Sequence, residues 1–269
     1  MSEKKLLLVD GNSVAFRAFF ALHNSLERFK NKNGLHTNAI YAFNNMFENV
    51  MDREKPTHVL VAFDAGNTTF RTAMYSDYKG GRSKTPGEFR EQMPYLRELL
   101  VGLGVKHYEL DNYEADDIIG TLAHQAADEG FEVVVLSGDR DLTQLATDKI
   151  KVDITVKGVS EIESYTPEHV AEKYDGLTPN QIIDMKGLAG DTSDNYPGVT
   201  KIGEKTAIKL LKQFGSVEGV YENIDELKKS KMKENLINDK DQAFLSKELA
   251  TIKLDTPVDI SIDELAYKG

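Results

Sequence analysis

Three stretches of the chain are short and almost unbroken in apolar residues: LLLVD (residues 6–10), HVLVAFD (58–64) and EVVVLSGD (132–139). Runs of this length without polar alternation predict strands of a parallel sheet covered on both faces. Between them apolar residues recur at helical spacing, around residues 38–53, 86–102 and 115–129. Strands and helices alternating in this way predict an α/β fold with a mostly parallel central sheet flanked by helices. Each apolar run closes on an aspartate: Asp10, Asp64 and Asp139. In open α/β sheets, sites form at the carboxyl ends of strands. One such aspartate is readily a helix cap; three in equivalent places are harder to dismiss.

The texture changes after about Tyr174. TVKGVSEIESYTPEHVAEKYDG predicts a strand pair or loop and then a helix, with Thr166 as its cap and Pro167 at the first helical position. From LTPNQIIDMKGLAG onward the pattern is of short helices separated by glycine turns, with no strand before the tail. This predicts an α/β domain at residues 1–175 and a helical domain at 176–269, with no internal repeat or low-complexity tract.

Composition narrows the chemistry. The 269 residues carry a net charge of -11, which argues against nucleic acid unless many acids are gathered in one place to hold divalent cations. There are no cysteines, so disulfides and thiolate metal sites are excluded and a reducing, cytoplasmic compartment is expected. Only four consecutive apolar residues lead up to Asp10, which suits a strand and is too short for a signal-peptide core or a membrane span.

Nine acids stand at positions that attract attention: Asp10, Asp64, Glu114, Asp116, Asp117, Asp139, Asp141, Asp191 and Asp194. In SGDRDL, Asp139 and Asp141 are two apart at a strand end and can leave the same side of an extended backbone. In AGDTSDNYPG, Asp191 and Asp194 are three apart, neighbours on a helical turn. In NYEADDIIG, Glu114 and Asp116 are expected to converge in the extended part, with Asp117 following in the first turn of a helix. A helix N-terminus favours anions by only about 1 kcal/mol at exposed sites, too little to hold so many acids together. Hard divalent cations, Mg²⁺ or Mn²⁺, explain the clustering, because they choose oxygen ligands and neutralise carboxylates that otherwise repel. No histidine accompanies these acids, so zinc is disfavoured. Two such ions about 4 Å apart clamp the attacking and leaving oxygens of a phosphoryl displacement. Taken singly, any of these acids is as readily a cap, a turn residue or solvated surface.

Two basic segments supply a counterpart. Between Phe70 and Arg97 lie Arg71, Lys79, Arg82, Lys84, Arg90 and Arg97 against Asp77, Glu88 and Glu91, a local charge of +3. Tyr75 and Tyr78 are interleaved, and YKGGRSKTPGEF suggests a mobile excursion after the second strand. Cations and stacking rings on a flexible segment suit single-stranded nucleic acid, although such a segment alone is more often a charged surface loop. In PGVTKIGEKTAIKLLKQFG, Gly198 and Gly203 frame a tight hairpin leading into a helix near Lys205. Its pattern is that of a helix–hairpin–helix element, whose backbone amides grip phosphates without reading bases. Lys201, Lys205, Lys209 and Lys212 make this stretch positive, and Thr206 stands beside Lys205. An ordinary glycine turn between packed helices is the plainer alternative.

The ordered motifs LLLVDGNSVAFRAFFA, FDAGNTTFRTAMYSDYKGGR, YEADDIIGTLA, LSGDRDLTQL and GLAGDTSDNYPGVTKIGEKTA resemble the 5′ nuclease (flap endonuclease-like) family over essentially the whole chain. The resemblance is strongest to the 5′–3′ exonuclease domains joined to bacterial DNA polymerases. It implies a PIN-like nuclease core, with a basic arch at about 70–97 and a helix–hairpin–helix domain behind it. It implies that all nine acids are ligands of a site with two or more Mg²⁺ or Mn²⁺ ions, with Asp116 and Asp139 central to catalysis. Lys79 and Arg82 match arch residues that stabilise the scissile phosphate, and Tyr78 matches the aromatic there. Arg17 and Arg71 match basic residues facing the substrate, while Lys201, Gly203, Lys205 and Thr206 fall in the duplex-gripping hairpin. A K⁺ ion held by carbonyls near Val199 and Ile202 is a weaker implication. The implied reaction is metal-assisted hydrolysis of phosphodiesters in DNA with a 5′ flap, 5′ end or branch, or in the RNA primer of a hybrid, during replication and repair.

A haloacid dehalogenase-type phosphatase is a rival suggested by LLLVDGNS and GDTSD, but it needs an aspartate where Asn12 stands. A non-catalytic helix–hairpin–helix DNA-binding module is another, and it leaves the carboxylates unexplained. A monomer is expected, near the nucleoid and off the membrane. The ending LAYKG suggests a domain covalently joined to a polymerase in a longer parent.

Overall fold

A computed structural model describes residues 3–269. Its strands are β1 (Lys5–Asp10), β2 (His58–Ala62), β3 (Lys106–Tyr108), β4 (Glu132–Ser137), β5 (Ile150–Lys157) and β6 (Glu161–Tyr165). They form one sheet in the order β3-β2-β1-β4-β5-β6. All neighbours pair parallel except β5 and β6, which are antiparallel. The helices α1 (Gly11–Ala21), α2 (Asn38–Glu54), α3 (Phe70–Met74), α4 (Gly87–Arg90), α5 (Met93–Gly102), α6 (Ala115–Asp128) and α7 (Pro167–Lys173) accompany the sheet. The C-terminal part is helical: α8 (Gln181–Ala189), α9 (Glu204–Phe214), α10 (Val217–Glu222), α11 (Lys231–Asn238) and α12 (Lys240–Ala250).

The pleat explains why the strand runs are apolar throughout. Leu6 and Leu8 of β1, Leu60 and Ala62 of β2, and Val133 and Val135 of β4 join a core with Ile118 and Leu122 of α6. Their neighbours Leu7, Val9, Val59, Val61, Val134 and Leu136 join a second core with Val14, Phe43 and Leu96 of α1, α2 and α5. Successive side chains leave opposite faces, so a sheet covered twice needs apolar residues at every position. The first core continues into Leu188 of α8, Leu211 of α9, and Ile252 and Leu265 of the tail. The tail returns to the sheet, where the Tyr267 N–H donates to the Thr57 carbonyl at 2.8 Å.

The elements differ from expectation in local ways. The helix expected over 86–102 is two, α4 and α5, because Pro94 in the first turn of α5 has no N–H to donate to the carbonyl of Arg90 four residues back. β3 has only three residues and no buried apolar side chain, so no pattern announces it. The Thr166 cap and Pro167 start of α7 are as expected, with Thr166 Oγ1 accepting from the His169 N–H at 3.2 Å.

Candidate metal centre

β1 lies between β2 and β4, where the strand order reverses, so a crevice opens at the carboxyl ends of these strands. The three strand-end aspartates stand at its floor. Asp10 ends β1 and accepts from Ser137 Oγ at 2.8 Å. Gly11 lets α1 start directly behind it: a Cβ there would lie 2.5 Å from the Phe63 ring. Asp64 Oδ1 accepts from the Ala115 N–H at 2.7 Å, while its own N–H donates to Asn12 Oδ1 at 2.8 Å. Asn12 is thus spent on holding the β2 end. Asp139 Oδ1 accepts from the Asp141 N–H at 2.9 Å and caps the short 3₁₀ turn that follows. Arg17, expected to face substrate, is half-buried and donates to the Gly138 carbonyl at 3.0 Å, bracing this turn.

The acids of α6 divide. The helix begins at Ala115 with Glu114 as its N-cap, so Asp116 and Asp117 both lie in the first turn. Adjacent helical residues point about 100° apart, so the pair cannot serve one ion. Asp116 feels the charges of Asp10, Asp139 and Glu114. Asp117 turns the other way and is fully buried. Its Oδ1 accepts from Arg71 Nη2 at 2.8 Å and the Lys253 N–H at 2.9 Å. Its Oδ2 accepts from Arg71 Nη1 at 2.8 Å and the Glu114 N–H at 3.1 Å. Those four bonds occupy the carboxylate, so Asp117 is not placed as a metal ligand. Arg71, likewise expected at the substrate, is 3% exposed. Besides Asp117 it reaches Glu114, the Leu249 carbonyl at 3.0 Å and the Thr251 carbonyl at 2.8 Å. All five of its N–H groups are used within the protein.

The helical part closes the crevice. Oxygens of Asp139, Asp141 and Asp194 lie within 4.8 Å of one another. Lys186 of α8, which no spacing rule singles out in the sequence, donates to Asp191 at 2.8 Å and stands 3.5 Å from Asp141. The arch segment folds onto the same acids. Lys79 pairs with Glu114 and Arg82 with Asp194. The Lys79 N–H donates to the Asp194 carbonyl at 2.9 Å from a left-handed backbone, φ 58°. Tyr78 is buried rather than presented to solvent. Its hydroxyl donates to Glu114 at 2.9 Å, and its ring stacks on Tyr196 with centroids 6.0 Å apart.

This concentration of charge is costly. Burial and the nearby Asp64 push the Asp10 carboxyl up to about 7. Burial and Asp139 push Asp141 up to about 8. Asp64, Asp116 and Asp139 are raised as well, each chiefly by burial. Glu114 and Asp191 are the exceptions: burial opposes their charge, yet Lys79 and Arg71 hold Glu114, and Lys186 holds Asp191, below the usual range. Buried carboxylates driven to keep their protons near neutral pH are groups that a divalent cation would relieve, and all the donors are hard oxygens. The residues fit such an ion.

A stability prediction arises here. An acid whose folded value is raised binds its proton more tightly folded than unfolded, so stability falls as pH rises from about 4 through the folded value. Without divalent ions the melting temperature should therefore drop between pH 5.5 and 8.5, as Asp10 and Asp141 ionise. His169, raised by its bond to Glu163, contributes with the same sign. Mg²⁺ or Mn²⁺ should remove most of the drop and raise the melting temperature by several degrees at pH 8, since a ligand at a hundredfold its Kd adds about 2.7 kcal/mol. NaCl at matched ionic strength should do much less. Identical pH profiles with and without divalent ions would count against the site.

After α8, residues 198–203 form the hairpin before α9. Lys201, Gly203 and Lys205 are exposed and Thr206 is half-buried. The side chains of Val199 and Ile202 are buried, and the Val199 carbonyl accepts from the Ile202 N–H at 3.2 Å.

Family models for the 5′–3′ exonuclease N-terminal resolvase-like domain and the 5′–3′ exonuclease C-terminal SAM fold match residues 5–175 and 177–269. DNA polymerase I of Streptococcus pneumoniae (strain R6) is 62% identical over 269 residues, covering 100% of this chain and 31% of that protein. DNA polymerase I of Bacillus subtilis is 62% identical over 266 residues, covering 99% of this chain and 30% of that protein. The chain thus spans about a third of the length of the curated relatives it matches. A bacteriophage T5 flap endonuclease in a pseudo-enzyme–product complex with DNA and metal ions shares the fold. Its TM-score is 0.74 at 22% identity, over 94% of this chain and 90% of the other.

Proposed function

This chain belongs to the 5′–3′ exonuclease family, and from that premise we propose that it is a structure-specific nuclease that hydrolyses phosphodiesters in 5′ flaps, 5′ ends and branched duplexes, including RNA primers. The observation that carries the reading is the meeting of the strand-end carboxylates with Glu114, Asp116 and Asp194 in one crevice, where Lys79 and Arg82 pair with two of them. Asp10, Asp64, Glu114, Asp116, Asp139, Asp141, Asp191 and Asp194 are the residues that would hold two or more Mg²⁺ or Mn²⁺ ions. Bound there, such ions supply an activated water at neutral pH and neutralise charge on the phosphate. That DNA and metal ions accompany the T5 relative supports the assignment.

The chain's own residues do the remainder. Lys79 and Arg82 pair with Glu114 and Asp194, and from that place their charges would bind a phosphate oxygen brought into the crevice. Ser137, Ser13 and Arg17 hold the β1 and β4 ends so that Asp10 and Asp139 keep their aim. The hairpin grips the duplex through Lys201, Lys205 and the free amides at the start of α9, and the carbonyls of Val199 and Ile202 are the groups that would hold a K⁺ ion. Joined covalently to a polymerase domain, as the relatives' length suggests, the chain would act in replication and repair in the cytoplasm. Among the described residues no helix is long and apolar enough to cross a membrane.

Cleavage of a 5′-labelled flap duplex in Mg²⁺ or Mn²⁺, and none in EDTA, is the expected result. Binding without cleavage in every divalent ion would reduce the protein to a DNA-binding module. Lys205→Ala should weaken duplex binding to the same degree for all sequences and lower the salt slope by about one phosphate contact. A sequence-dependent loss, measured by anisotropy, would contradict this role.

A further inference from the structure

The hairpin is shaped by side chains that do not belong to it. Both backbone groups of Thr200 are taken from outside: its N–H donates to Asp239 Oδ2 at 2.8 Å, and its carbonyl accepts from Asn235 Nδ2 at 3.2 Å. Two residues earlier, the Gly198 N–H donates to the fully buried Ser246 Oγ at 2.8 Å. Gly198 itself lies so close to α8 that a Cβ would sit 2.4 Å from the Gly190 nitrogen. Lys201, which follows Thr200, is left-handed with φ 64°, a conformation uncommon for a residue with a side chain. The following helix has no side-chain cap at Gly203, so the first amides of α9 remain available to an anion.

We infer that Asp239, with Asn235, is a positioning residue for nucleic-acid binding: it clamps Thr200 so that Lys201 and the first amides of α9 are aimed at phosphate before the duplex arrives. The inference rests on the reading of the hairpin as the duplex grip. A carboxylate beside a phosphate-binding turn is unfavourable by charge alone, so its presence there needs a compensating role. The two hydrogen-bonded partners of Thr200 come from α11 and from the residue between α11 and α12, which ties the hairpin's shape to that helix pair. Pre-forming the turn saves the ordering cost that a loose loop would meet on binding.

The sign of one substitution separates positioning from charge. Asp239→Ala removes a negative charge next to the phosphate track, which by electrostatics alone tightens binding. Loss of the clamp weakens it. With the full chain and a fluorescein-labelled duplex bearing a 5′ flap, in EDTA, we expect Asp239→Ala to raise Kd by roughly two- to tenfold, the scale of one lost hydrogen bond. Asp239→Asn keeps an acceptor and drops the charge, so it should bind as tightly as the parent or more tightly. In Mg²⁺ the Ala variant should show a raised KM and an unchanged kcat. Unchanged or tighter binding by Asp239→Ala overturns the inference. Should that variant fail to fold, Asn235→Ala, which alters no charge, carries the same expectation of weaker binding, and unchanged affinity there overturns it. If Lys205→Ala also leaves affinity unchanged, the duplex-grip reading falls with it; if Lys205→Ala weakens binding and the clamp variants do not, only the positioning inference is lost.

Discussion

Asp139→Ala and Asp116→Ala should each lower flap cleavage by about a thousandfold or more, the scale of losing a cation worth several kcal/mol at the reacting phosphate. Affinity for the flap duplex should stay near that of the parent, because in the proposed reading these acids would hold cations rather than DNA. The same changes should raise the melting temperature in EDTA. Asp139 is repelled by Asp194, and Asp116 by Asp10 and Asp139, so deleting either charge relieves the metal-free fold. The gain from added Mg²⁺ should shrink in parallel. This opposite movement of stability and activity is the signature of a site built against its own repulsion. Ordinary turnover by either variant at low millimolar Mg²⁺ would refute the assignment.

Arg71→Ala should destabilise the protein severely, although Arg71 belongs to the basic segment that looks made for substrate. Its loss leaves Asp117, fully buried, and Glu114 without their guanidinium, and strands the carbonyls of Leu249 and Thr251. Breaking a buried pair from one side costs about 3–5 kcal/mol. At roughly 2–4 °C per kcal/mol for a chain of this size, the melting temperature should fall by about 6–20 °C. Arg71→Lys should recover only part of this, since an ammonium cannot make the two-pronged bond to Asp117. A residue that merely contacted DNA would give the reverse result: an unchanged melting temperature and a raised Kd. Differential scanning fluorimetry and anisotropy on the same preparations decide between them.

Arg71 and Asp117 also show where sequence reading loses its grip. Arg71 sits among the cations of YKGGR and its neighbours, and Asp117 among the acids of YEADD, so each inherits the expected role of its neighbours. Their mutual bond spans 46 residues, and Arg71 reaches 178 and 180 residues ahead to the tail. No local pattern records a contact of that range. Lys186 escapes local reading in part for the same reason: its partner Asp141 comes from a sheet end far earlier in the chain, while Asp191 is five residues on but past the end of α8, where helical spacing no longer applies. Tyr78 read as an exposed stacking ring because interleaved aromatics and cations suggest it; burial against Tyr196 depends on the helical part folding over the sheet.

What the amino-acid sequence determined by itself was the frame: strands whose every residue must be apolar, helices at 3.6-residue spacing, and aspartates at the strand ends. These follow from periods of two and 3.6 acting within a few residues, so they are legible one segment at a time. The tertiary structure alone decided which acids share the crevice and which of them is spent on an arginine. The reason is electrostatic. A buried carboxylate must be matched by a proton, a cation or a fork of N–H groups, and which of these it finds depends on segments brought close only by folding. Asp116 and Asp117 are adjacent in the chain and chemically alike; a turn of about 100° sends one toward the other acids and the other toward Arg71.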